Sequence, residues 1–184
     1  MQFKSGSDVA ILNCIMGEII RNGWEDKAWV ENRAKGYEEL KATVLQDAYL
    51  PENVEKLSGI PAEQLRTAAE WIGTAESSAL LYSMGITQHT VGVDNVKSTA
   101  NLQMLTGNIG RRGGGVNALR GQNNVQGACD MGALPVVFTA YQKVIDPAAH
   151  KKFEDAWAFP RWYRCSSERI RSHNNDGCLN RQTR

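Results

Sequence analysis

The sequence predicts an α/β fold in which a helical first half packs against a small, mainly parallel sheet. Three observations carry that expectation. Residues 8–72 contain successive segments with apolar residues at helical spacing. The apolar run Ala79-Leu80-Leu81-Tyr82 then reads as part of a strand near Ser78 to Met84. Behind it come a break at Met84-Gly85, the polar set Thr87-Gln88-His89-Thr90 and another helical segment. Strand, glycine turn, helix is the order in which open α/β sheets build a ligand crevice at the carboxyl ends of their strands.

The helices follow in order. Ser7 is a good N-cap and Asp8 suits the positive end of the first helix dipole. Val9, Leu12, Ile15, Met16, Ile19 and Ile20 recur at helical spacing until Asn22-Gly23 supplies a stop. Cys14 within that run reads as a small buried apolar group. Residues 26–33 form a second helix stopped by Gly36, and residues 37–48 a third with Leu40, Val44 and Ala48 on one face. Pro51 and Pro61 each open a helix, where the missing N–H costs nothing; Gly59 closes the first of these. The second carries Leu65, Ala68, Ala69 and Ile72 as its stripe. Trp24, Trp29 and Trp71 read as covers for the core edge. After the strand, residues 94–105 form a helix with Val93, Val96, Ala100 and Met104 on one face, ended by Gly107-Asn108-Ile109-Gly110. A short strand at residues 116–119 and a helix from Pro147 to Trp157 complete the regular elements.

Bulk properties narrow the class. A chain of 184 residues with 42% hydrophobic and 22% charged content suits one globular domain with a real core. No apolar run approaches the roughly 20 residues of a membrane helix, and no signal-peptide stretch follows Met1. The four cysteines, Cys14, Cys129, Cys165 and Cys178, show no CxxC pair or zinc spacing, which reads as free thiols in a reducing compartment. From Pro160 onward periodicity disappears, and six arginines stand against Glu168 and Asp176. That stretch carries +4, leaving −3 for the rest of a chain whose net charge is +1. An acidic body argues against nucleic-acid binding. Residues 160–184 read either as a solvated disordered tail or as sequence foreign to the fold, through a reading-frame change or cloning scar.

Chemistry is concentrated between Arg111 and Gly132, where apolar periodicity vanishes. Gly113-Gly114-Gly115 lets backbone N–H groups approach a ligand, and flanking arginines offer charge to an anion. Such loops are also found as plain turns. The string Arg120-Gly121-Gln122-Asn123-Asn124-Val125-Gln126-Gly127 sets one guanidinium and four amides close together. Burying so many polar groups unpaired costs several kcal/mol. The segment is therefore either fully exposed or wrapped around a polar ligand. Gly121, Gly127 and Gly132 favour the second choice by permitting close backbone approach.

MGITQHTVG, LTGNIG, GGGVNALRGQNNVQGACDMGALP and AYQKV together resemble the catalytic subunit of molybdenum or tungsten formate dehydrogenases. These are molybdopterin oxidoreductases of the dimethyl sulfoxide reductase superfamily. The resemblance spans about Phe3 to Ala158, so residues 1–159 would be a partial domain of that doubly wound fold and residues 160–184 a tail outside it. It implies bis(molybdopterin guanine dinucleotide) carrying molybdenum or tungsten as cofactor. By motif position, Met84, Gly85, Gln88 and Gln122 would contact the pterin, and Arg120 would be the catalytic arginine that orients formate. His89 and Cys129 are not carried over, because the family's histidine and metal-ligating cysteine or selenocysteine lie in another part of its chain.

The family chain is several times longer, and its 4Fe–4S cysteine cluster has no counterpart here. The resemblance thus implies an internal piece, inactive alone, whose partners are formate, the rest of the subunit and iron–sulfur electron-transfer subunits. No metal ligand is expected in this chain. Compartment stays open, with cytoplasmic the default and periplasmic known in the family. Two rival readings are a molybdopterin enzyme for another substrate, which would replace the RGQNNVQG string, and a nucleic-acid binder using RRGGG.

Overall fold

The computed structural model describes residues 1–158. They fall into two compact units, Met1–Leu119 and a second beginning at Arg120. The tail expected from residue 160 lies outside the described residues.

The first unit is built on α1 (Asp8–Arg21), whose Cys14, Met16 and Ile19 are fully buried. Around it stand α2 (Lys27–Arg33), α3 (Tyr37–Val44), α4 (Pro51–Ser58) and α5 (Ala62–Thr74). Their starts and stops follow local chemistry. The Asp26 carboxylate accepts from Trp29 N at 3.0 Å, capping α2. Pro51 opens α4, and Gly59 ends it in the left-handed region at φ 82°. Leu65 and Ala69 of α5 close on α1. Burial among these apolar groups pushes the Cys14 thiol up to about 12, so it stays protonated and inert.

Beyond α5 the chain enters β1 (Ala79–Tyr82), then α6 (Met84–Thr87), α7 (Gly92–Leu105) and β2 (Gly115–Ala118). Strands β1 and β2 pair in parallel, from Ala79 opposite Gly115 to Tyr82 opposite Ala118. The parallel sheet and helical majority agree with the expected fold class. The second unit holds α8 (Val125–Asp130), an antiparallel pair β3 (Val137–Phe138) and β4 (Gln142–Lys143), and α9 (Pro147–Trp157). Its apolar centre is aromatic: Phe138 stacks on Phe153 at 4.5 Å, and Trp157 meets both rings edgewise or tilted.

Several local expectations are corrected. The third helix stops at Val44; a 3-10 turn over Asp47–Tyr49 follows and leaves Ala48 exposed. Trp71 is 73% exposed and covers no core edge. It lies two residues past buried Ala69, about 200° around the helix. The same geometry applies to α7, where Val93 is 69% exposed while Asn95, Thr99 and Leu102 face inward. The buried face of α7 is therefore largely polar. Asn108 Oδ1 accepts from Ser78 N at 2.9 Å, and Gln103 Nε2 donates to Ser78 Oγ at 3.0 Å. These two amides hold the entry to β1.

Candidate functional site

Parallel pairing brings the carboxyl ends of β1 and β2 to one edge of the first unit. Leu119 N donates to Tyr82 O at 2.7 Å, and Ser83 Oγ donates to Leu119 O at 2.8 Å, which ties the two exits together. From this edge the chain turns into α6. The expected break at Met84-Gly85 is instead the first turn of that helix, started by Ile86 N donating to Ser83 O.

Met84, Gly85 and Gln88 are thereby brought together on one exposed turn. Gln88 N donates to Met84 O at 2.9 Å, while among the described residues the Gln88 side-chain amide donates only to the Met84 sulfur, at 3.5 Å. A Cβ built on Gly85 would meet nothing within 4 Å, so the backbone there is open to a ligand. His89 Nε2 lies 2.9 Å from Gly85 O, a local contact that gives the imidazole a place within the turn.

No residue of α6 is fully buried and only Ile86 is half-buried, so apolar packing holds it weakly. Its polar supports come from α7. Asn95, fully buried, donates from Nδ2 to Ile86 O at 2.8 Å. Gly92 N donates to His89 O at 3.0 Å, and a Cβ at Gly92 would lie only 2.1 Å from Thr87 O. Sequence reading missed both residues. Gly92 and Asn95 sit at a helix start, where small and amide residues have an ordinary local explanation.

The glycine loop before β2 differs in part from expectation. Arg111 is not free for an anion: Nη1 donates to Glu76 O at 2.6 Å, and Nη2 lies 3.7 Å from Asp26 Oδ2. Gly114 is required by close approach, since a Cβ there would stand 2.6 Å from Asn108 O. This loop is built inward, as a brace for the strand.

Arg120 and Gln122 belong to the second unit. They precede α8, which sequence reading left irregular because residues 125–130 carry no apolar period. Both side chains are exposed, and among the described residues neither makes a hydrogen bond or ion pair. Asn124 caps α8 at φ 50°, in a conformation that asparagine tolerates. Cys129 is a half-buried free thiol. Close to it, hydrogen bonding to Asp130 raises the Tyr141 phenol above its ordinary value.

These donors fit the group that the resemblance implies. A pterin dinucleotide is polar and anionic; the first unit offers the Gln88 amide, and the second, taken by itself, the Arg120 guanidinium and Gln122 amide, which make no side-chain hydrogen bond among the described residues. Gly85 adds open backbone. Among the described residues, no three His, Cys, Asp or Glu side chains are grouped to hold a metal. Also among them, no helix is long and apolar enough to cross a membrane. A separate cavity of about 390 Å³ between α1, α2, α3 and α7, lined by Asn13, Tyr37 and Met104, contains none of the expected residues.

Comparison with known proteins gives the family. The family model described as molybdopterin oxidoreductase matches residues 1–182. The F420-dependent formate dehydrogenase 1 subunit alpha of Methanococcus maripaludis is 54% identical over 157 residues, 85% of this chain and 23% of that protein. Its counterpart in Methanocaldococcus jannaschii is 48% identical over 85% of this chain and 23% of its own length. Formate dehydrogenase H of Escherichia coli is 49% identical over 84% of this chain and 21% of its own length. The chain thus spans less than a quarter of these relatives. With the family pattern running through most of its length, the chain belongs to the molybdopterin oxidoreductases, a family of enzymes built around a molybdenum or tungsten pterin.

Proposed function

We propose that this chain contributes to the active site of a formate dehydrogenase catalytic subunit, which oxidises formate to CO2. The observation that carries the reading is Arg120, an exposed guanidinium that makes no hydrogen bond or ion pair among the described residues, followed directly by an amide-rich turn. A planar guanidinium holds a carboxylate through two parallel hydrogen bonds and stays charged at any working pH. Formate has no other handle, so this fork sets most of its orientation. The product is neutral, and the pair that held the substrate is lost when CO2 forms.

Met84, Gly85, Gln88 and Gln122 would face the cofactor, bis(molybdopterin guanine dinucleotide). When bound, that group supplies the metal centre that accepts electrons from the substrate. The side-chain amides donate to and accept from the polar pterin edge, and the open Gly85 backbone permits close approach. The remaining polypeptide of the longer subunit would supply the 4Fe–4S centre and the metal ligand. Electrons would leave through iron–sulfur partner subunits.

The test uses the complete subunit carrying this segment, with its electron-transfer partners. Formate labelled with carbon-13 should reduce a dye acceptor and yield an equal amount of labelled CO2. Gln122→Ala should lower pterin and metal content before it alters the apparent affinity for formate. Dye reduction by another substrate, with formate inert, would overturn the reading.

A further inference from the structure

We infer that Asn95 is a positioning residue for the cofactor-facing turn, acting through α6 without touching the ligand. The inference rests on the proposed role of Gly85 and Gln88. Helix α6 has no fully buried residue and only Ile86 half-buried, so its placement leans on a few polar contacts. Asn95 is fully buried at the start of α7 and donates to the Ile86 carbonyl at 2.8 Å. Ile86 stands between Gly85 and Gln88, the two residues whose exposure the ligand would use. Gly92 closes the same clasp. Its missing side chain admits the Thr87 carbonyl to a place that any Cβ would occupy, at 2.1 Å.

The Asn95 Oδ1 atom is buried with no partner among the described residues. The Nδ2 donor is the part that acts: it sets the height and rotation of the α6 carbonyls. A turn released from this clasp keeps its sequence but presents Gln88 and the Gly85 backbone in many orientations, which raises the ordering cost of binding.

The experiment is a double-mutant cycle on the complete, cofactor-loaded subunit. Asn95→Asp keeps the shape but places an acceptor against the Ile86 carbonyl. Pterin release is followed by the fluorescence of the freed, oxidised pterin, and amide hydrogen exchange of residues 84–92 is measured in parallel. Asn95→Asp should speed release about ten-fold, the loss of one hydrogen bond's worth of ordering. Gln88→Ala should do the same. Because Asn95 acts through Gln88's turn, the double variant should be no faster than about the worse single one. Faster exchange across residues 84–92 in Asn95→Asp alone completes the expected pattern. Gly92→Ala reaches the same segment from its other side and carries the test where Asn95→Asp folds poorly. Fast release in Gln88→Ala with wild-type release in Asn95→Asp overturns this inference alone. Rate effects that multiply fully in the double variant also overturn it. Wild-type release in both single variants overturns the cofactor-facing reading of the turn, and this inference with it.

Discussion

Leu65→Ala should destabilise the first unit by about 2–5 kcal/mol, the range for removing a fully buried leucine and leaving a cavity. Leu65 is 0% exposed and sits on α5 against α1, where Cys14, Met16 and Ile19 are equally inaccessible. Those neighbours belong to one rigid helix, so the hole has little scope to collapse. The urea midpoint should fall while the slope of the transition stays the same. Trp71→Ala provides the contrast. It removes a far larger side chain from the same helix, yet that side chain is 73% exposed, and the cost should stay within about 0.5 kcal/mol. A tryptophan variant as damaging as the leucine variant would contradict the packing described for α5.

That pair of residues also shows what the sequence made legible. Leu65 and Ala69 follow a helical stripe, and the stripe is where the core forms. Trp71 was expected at the core edge on residue type alone, and helix geometry places it on the far side. Punctuation was readable in part. Pro51, Gly59 and the Pro147–Trp157 helix behave as their chemistry predicts, whereas Ser7 makes no side-chain capping bond, its Oγ donating to Lys4 O, and Gly36 starts the third helix instead of stopping the second. The strand preceding the glycine turn, and its parallel partner near Val116, were likewise readable from apolar runs.

Long-range polar chemistry was not readable. The inward face of α7 carries Asn95, Thr99 and Gln103 in place of Val93 and Met104. Asn95 donates to the Ile86 carbonyl, Gln103 to the Ser78 hydroxyl and Thr99 back to Val96 O, and spacing along one helix says nothing about the first two. Arg111 was expected to offer charge to an anion, whereas Glu76 O and Asp26 already occupy it. Helix α8 escaped detection because its six residues bury no apolar stripe. Of the proposed site residues, Met84, Gly85 and Gln88 were named by motif, and their grouping on one exposed turn came only from the structure. Gly92 and Asn95 carried no motif signal, since their partners are carbonyl oxygens that every residue possesses.

The central claim, that this chain carries the formate-orienting group, meets its most direct test in Arg120→Lys within the complete enzyme. Lysine keeps the positive charge but replaces a planar fork with a single rotating ammonium. Formate has no remote group through which binding energy could compensate, so orientation and affinity should fall together. One charge-assisted hydrogen bond is worth about 1.5–3 kcal/mol, which corresponds to roughly a ten- to hundred-fold loss in kcat/KM. In the proposed reading Arg120 faces substrate, and its side chain makes no hydrogen bond or ion pair among the described residues. Its replacement should therefore leave the fold, the pterin content and the metal content at wild-type levels. Steady-state formate kinetics, measured beside pterin and metal content on the same preparation, decide the matter. The account predicts a loss of at least about ten-fold in kcat/KM at full cofactor occupancy; wild-type kinetics, or a loss that merely tracks missing cofactor, would contradict it.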